Sequence, residues 1–284
     1  MAMLALFFFV PFLMACRISL LDYSHDLYAP RFVGVANYIQ LFQSPMFWQS
    51  LQNTFVFVLG VVPAMVALPV AMAVLLNTPL RGISIFRALI YLPVIVSLVV
   101  VGITWKFMLN SDGIVNYLFS LAGIPKIQWL VNPDIALYSV MIVVIWKGLA
   151  YYMMMYLANL QNASRDLYEA ADIDGANLWQ KHWYITVPYL RPTMAMVAII
   201  STIGALKVFA EIYVMTGGGP VNATQTLVFY IYQRAFENLD LGIASAAGII
   251  LIVILIVLSL IQLRFSGEDT DTRPPIARNP KAAS

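Results

Sequence analysis

The sequence predicts an all-α polytopic membrane protein with six transmembrane helices and one helical element on the cytoplasmic side. Three observations carry this. The 284 residues are 61% hydrophobic and only 11% charged, against about 45–50% and about 25% in an ordinary soluble domain. Apolar runs long enough to span a bilayer recur along the chain. Backbone amides in hydrocarbon must be paired internally, so each run is read as a helix.

Six stretches qualify, at about 3–21, 51–76, 86–109, 135–159, 193–215 and 241–263. They make one membrane unit over 1–264, followed by a polar, proline-containing tail over 265–284 that is expected to be disordered. The first run ends on Leu13-Met14-Ala15-Cys16, which looks like a lipoprotein cleavage site. No Lys or Arg precedes it, so the basic start of a signal peptide is missing. It is therefore read as a first spanning helix whose leader is short or missing from the sequence. Cys16 is the only cysteine, which excludes an internal disulfide.

The connectors set the orientation. With both termini in the cytoplasm, the inside set is Arg81, Arg87, Arg165, Lys181, Arg191, Arg264, Arg273, Arg278 and Lys281, nine basic residues. The outside set is Arg17, Arg31, Lys106, Lys126 and Arg234, five. The positive-inside rule favours that arrangement. The first outside loop contains Ile39, Leu41 and Phe42 just before Pro45, which predicts a short interfacial helix. Ser111-Asp112-Gly113 marks a turn in the second. Thr216-Gly217-Gly218-Gly219-Pro220 predicts the end of the fifth span, with an amphipathic 224–236 beyond it that is expected to dip back toward the pore.

The longest polar interruption lies between the fourth and fifth spans, over 165–192. Asp166 and Glu169 predict a capping box at the start of a short helix. Asp172 and Asp174 are placed near its positive N-terminal end. Gly175 breaks it, and Ala176 or Asn177 begins a second helix with Leu178, Trp179, Trp183 and Ile185 as anchors. Val187-Pro188 is expected to stop that second helix before the membrane.

Much chemistry is excluded. No phosphate-cradling GxxxxGK[ST] run occurs, so the chain is not expected to hold ATP itself. His25 and His182 are the only histidines, too few with one cysteine for a zinc site. A net charge of +2 gives no reason to invoke nucleic acid. Charges inside the spans are costly and usually face a bundle interior or wet cavity. They are Lys147 in the fourth span and Lys207 and Glu211 in the fifth. Lys207 and Glu211 are four apart and are expected to pair on one helical face. Lys147, Gly148 and Tyr151 present a donor, a gap and an aromatic on one side, which suits a ring-shaped polar ligand. Trp146, Tyr152 and Phe209 are further aromatic candidates.

Glu169-Ala170-Ala171, then Gly175, Ile185 and Pro188 resemble the signature loop of bacterial ABC importer permeases, with Val187 where leucine is usual. Asp174 and Ala176 belong to the same run, YEAADIDGA. FVGVANY, WKGLAYYMMMYLANLQ and VMTGGGP extend the likeness over most of the chain, toward permeases similar to maltose permease F. The resemblance implies a bacterial inner-membrane subunit with a coupling helix that docks on a separate cytoplasmic ATPase. Glu169 would be the charged contact, and Ala170, Ala171 and Gly175 would allow close seating. It also implies a second permease similar to maltose permease G, two ATPase subunits carrying ATP and Mg, and an external solute-binding protein. The family's sugar contacts carry over at Gly148, Tyr151 and Ser201 but fail at Val144, Gly204 and Ala205. Two other readings are glycerol phosphate or another anion as cargo, and an ion-coupled secondary transporter. The latter usually shows an internal repeat, and none is visible.

Overall fold

The structure, a computed structural model, describes residue 3 and residues 5–23, 30–77 and 82–267. The expected disorder of the tail falls almost wholly outside these residues, as does His25.

A π-helical turn leads into α1 (Val10–Ile18). Two-residue strands β1 (Leu21–Asp22) and β2 (Arg31–Phe32) pair antiparallel. Helix α2 (Ala36–Gln43) then buries Leu41 completely and leaves Ile39 and Phe42 about half exposed. The Asn37 amide donates to the carbonyls of Ser19 at 2.8 Å and Leu21 at 2.9 Å, tying α2 to the end of α1. Helix α3 (Pro45–Leu76) starts six residues before the expected span. It runs through Pro63 and Pro69, which membrane helices tolerate when neighbours and local adjustments re-satisfy the backbone.

The expected third span is not one straight helix. It is α4 (Ile83–Ile95) and α5 (Leu98–Met108), bent by 96° at Val96–Ser97. Val96 is extended, with ψ 136, and Pro93 one turn earlier removes a backbone donor from the last turn of α4. After α6 (Ile114–Leu121), the buried Asn116 organises the connector. Its amide nitrogen donates to Asn110, Ser111 and Ile127 carbonyls, and its oxygen accepts from Ile127 N–H and Trp129 Nε1.

Helix α7 (Pro133–Leu160) corresponds to the expected fourth span and is capped by the Asn132 side chain. It packs along α3, and α10 (Val187–Leu206) packs on the same two helices. Phe57, Val61 and Met65 of α3 and Val140, Met153 and Tyr156 of α7 lie in this core. The fifth span ends sooner than expected. Helix α10 stops at Leu206, residues 207–209 are non-helical, and a short α11 (Ala210–Met215) follows. Beyond it come α12 (Leu227–Tyr232), a π-helical turn over Gln233–Glu237, and α13 (Leu241–Gly267), which packs on α1, α2 and α10.

Among the described residues four helical stretches are long and apolar enough to cross a membrane, and the bent α4–α5 pair makes a fifth if counted as one span. Only 22–44% of their most apolar windows is buried, so the other faces are left for lipid or partner chains.

Candidate functional site

Two features stand out. One is the polar element over 165–186; the other is a cavity beside the middle of α7.

The polar element is helix α8 (Arg165–Ile173), a turn, helix α9 (Leu178–Lys181) and a π-helical turn over His182–Thr186. The expected Asp166 cap does not form: the N-cap is Ser164, without a side-chain bond, and Asp166 lies in the first turn. The capping box sits instead on the second helix. Gln180 N–H donates to Asn177 Oδ1 at 2.9 Å, and Asn177 N–H donates to Gln180 Oε1 at 2.8 Å. Asp172 and Asp174 are at the C-terminal, not the N-terminal, end of α8, because the helix begins at Arg165 and is only nine residues long. There Asp172 is offset by an ion pair with Lys181 across the turn. Gly175 has φ +74, the left-handed conformation in which other side chains are strained. Gly175 N–H bonds to the Asp172 carbonyl at 3.1 Å and Ala176 N–H to the Ala171 carbonyl at 2.9 Å, the paired bonds of a Schellman turn.

Pro188 does not stop the second helix. The chain stays helical from Leu178 to Leu206. In the π turn, the Val187 N–H reaches back to the His182 carbonyl, and this wider winding precedes the residue that has no N–H to give. Buried Thr186 joins the two halves, with the Tyr168 hydroxyl at 3.0 Å and His182 Nδ1 at 3.2 Å from its Oγ1. Glu169, Ala170, Asp174, Gly175 and Pro188 are exposed, and Ala171, Ala176 and Ile185 half-buried. Large apolar groups point outward: Ile173 is 87% exposed, Leu178 72% and Trp179 75%. The Trp179 and Trp183 rings lie nearly parallel, 6.3 Å apart.

The cavity has a volume of about 490 Å³. All six membrane residues singled out from the sequence line it: Lys147, Gly148, Tyr151, Ser201, Lys207 and Glu211. Val144, Gly204 and Ala205, where the likeness to maltose-type permeases fails, line it too. Lys147 Nζ donates to the Val96 carbonyl at 2.8 Å, so it holds the open end of α4 at the bend. Gly148 permits a close approach of α3: a Cβ here would collide with the Met65 side chain. Lys207 and Glu211 do not pair. Among the described residues no ion pair joins them, because the helix breaks at Lys207 and the two positions no longer share a face. Sequence reasoning missed Phe57, Val61 and Met65 of α3 and Val94 and Leu98 flanking the bend, all of which line the cavity. Pro93 was the one local signal for the bend.

An inner-membrane component family of binding-protein-dependent transport systems matches residues 1–267. The chain belongs to this family. It is 38% identical to the lactose transport system permease protein LacF of Rhizobium radiobacter over 267 residues, covering 92% of this chain and 89% of that one. It is 35% identical to the arabinooligosaccharides transport system permease protein AraP of Halalkalibacterium halodurans, over 83% of this chain and 76% of that one. A crystal structure of a bacterial ABC transporter that imports the acidic polysaccharide alginate matches with a TM-score of 0.84 at 25% identity, covering 95% of this chain and 92% of the other. The chain is therefore a multi-pass transport permease of the ABC importer type. For a permease, the two features are complementary: an apolar-faced, locally braced element at one end of the α7 and α10 spans, and a charged cavity between them.

Proposed function

We propose that this permease forms half of the translocation pathway for a sugar, an oligosaccharide or related polyol, in an ATP-driven importer of a bacterial inner membrane. The observation that carries the reading is the cavity. At about 490 Å³ it lies within the usual range for small-ligand sites. Its wall combines the Tyr151 and Phe209 rings with the Ser201 hydroxyl, Lys147, Lys207 and Glu211, the mix of apolar faces and polar groups that a saccharide presents. The lactose and arabinooligosaccharide relatives support the same ligand class.

The other half of the pathway comes from a second permease, similar to maltose permease G. Two cytoplasmic ATPase subunits bind ATP and Mg; this chain binds no cofactor and breaks no bond. An external solute-binding protein delivers the sugar, and both termini face the cytoplasm. The 165–192 element docks on one ATPase subunit. Glu169 makes the charged contact, and Ala170, Ala171, Asp174, Gly175 and Ala176 form the close-seated turn. Ile185 and Pro188 carry the movement into α10. ATPase closure then biases a two-state arrangement of the spans.

Reconstitution of the complete transporter with its co-encoded partners tests the reading. Labelled lactose or arabinooligosaccharide should enter vesicles only with ATP and the binding protein. Uptake by this subunit alone would overturn it. A second reading, an anionic solute, is favoured by the excess of positive charge in the cavity lining, two lysines to one glutamate. Lys207→Ala separates them: anion uptake should fall far more than neutral sugar uptake.

A further inference from the structure

We propose that a row of aromatic rings on α11, α12 and the turn after it forms an entry path along which a saccharide reaches the cavity. The inference rests on the sugar reading above. Phe209 is the inner end, since it lines the cavity. The Tyr232 ring is 5.0 Å from Phe209, and Phe236 is 5.3 Å from Tyr232. Tyr213 flanks the row, 5.5 Å from Phe209 and 5.5 Å from Tyr232. Phe229, almost fully buried, backs it at 6.2 Å from Phe209 and 6.3 Å from Tyr232. Phe209 and Tyr232 are half-buried, the flanking Tyr213 is 49% exposed, and Phe236 at the outer end is 71% exposed.

The placement fits an approach route. Chain order puts α11 and α12 at the end of the fifth span remote from the 165–186 element, because the whole helix from Leu178 to Leu206 lies between them. The rings therefore lead from the opposite surface to the cavity wall. Saccharides carry C–H faces that rest on aromatic rings and hydroxyls that exchange hydrogen bonds, and Tyr213 and Tyr232 supply both a ring and a hydroxyl. Evenly spaced rings let a sugar unit leave one platform as it meets the next. The neighbouring cation is turned away: Arg234 pairs with Asp240 at 3.3 Å and lies over the Tyr230 ring at 5.3 Å. The row therefore favours a neutral saccharide face over an anion. Continuity with the cavity through Phe209 distinguishes it from a simple protein contact.

The test uses the complete transporter in vesicles, with labelled lactose and labelled arabinotriose as probes. Tyr232→Leu and Phe236→Leu remove a ring; Tyr232→Phe and Phe236→Tyr keep it. The leucine variants should lower the maximal uptake rate about three- to tenfold, the scale of one aromatic contact. The ring-keeping variants should lose less than the leucine variants, and the second permease should co-purify with all four. Wild-type uptake by the leucine variants overturns the path. So does loss of the second permease from them, which would make the row a subunit contact. If the wild-type transporter carries neither probe but takes up glycerol phosphate, the sugar reading itself falls, and the path with it.

Discussion

In the 165–186 element, the side-chain bonds that set the shape join residues no more than 18 positions apart. The cavity wall, by contrast, draws residues from Phe57 to Glu211. The element satisfies its own backbone and turns Ile173, Leu178 and Trp179 outward, where they lack cover from this chain. The cavity does the reverse and gathers Lys147, Lys207 and Glu211 among apolar helices. One region is a rigid local unit with an unfinished surface. The other is a partly open, largely apolar cavity that holds a few charged groups and exists only when distant spans pack. Damage to the first should disturb the grip on a partner, and damage to the second should disturb the pathway.

The largest separation of the two should come from Lys147→Met. It leaves the Val96 carbonyl at the bend without its charged donor. A hydrogen bond to a charged group is worth about 1.5–3 kcal/mol, so sugar uptake should fall roughly 10- to 100-fold. Co-purification with the ATPase subunits should be unchanged; a variant that loses the ATPases instead would erase the distinction.

Asn177→Ala sharpens the comparison from the other side. It removes one half of the capping box, at a cost of about 1 kcal/mol. Amide exchange over 178–186 should rise about fivefold by the same measure, with no change around Ser201. Equal acceleration in both regions would mean that the element is not a separate unit.

The smallest effect is expected where neither region is touched. Lys126 lies 2.6 Å from Asp112, and both side chains are exposed. The hydrogen bond and charge of Lys126 hold the Asp112 carboxyl below its ordinary value. A depressed carboxyl contributes stability above its unfolded value, about 3.9, and loses it as pH falls through the folded one. Lys126→Ala should therefore leave thermal stability and uptake unchanged from pH 6 to 8, since exposed pairs contribute little. A shift in that range would show that the connector is coupled to one of the two regions.

The same contrast explains what was legible in the sequence. The 165–192 element lies in consecutive residues, so the turn at Gly175 and the second helix after Asn177 could be read directly. The cap was assigned to Asp166 because D-x-x-E matches the motif, yet Asn177 and Gln180 fit the same geometry and won. Pro188 read as a stop because a soluble helix would end there; the π turn before it absorbs the missing donor. In the spans, Lys147, Lys207 and Glu211 were conspicuous because charge is rare in hydrocarbon, whereas Ser201 came only from the resemblance to the maltose-type family. Phe57, Val61 and Met65 were invisible, since an apolar residue facing a cavity looks the same in sequence as one facing lipid. The expected Lys207–Glu211 pair assumed a continuous helix, and nothing between Leu206 and Phe209 announces the break.

The central claim, that the 165–192 turn transmits ATPase movement to the pathway, is tested most directly by Gly175→Trp in the reconstituted transporter. A Cβ at Gly175 meets nothing within 4 Å in this chain, so the indole would project into the space assigned to the partner. The left-handed backbone adds only about 1–2 kcal/mol of strain. The account predicts wild-type amounts of protein in the membrane, uptake at background, and ATP hydrolysis that no longer responds to sugar-loaded binding protein. Normal uptake by this variant would contradict it.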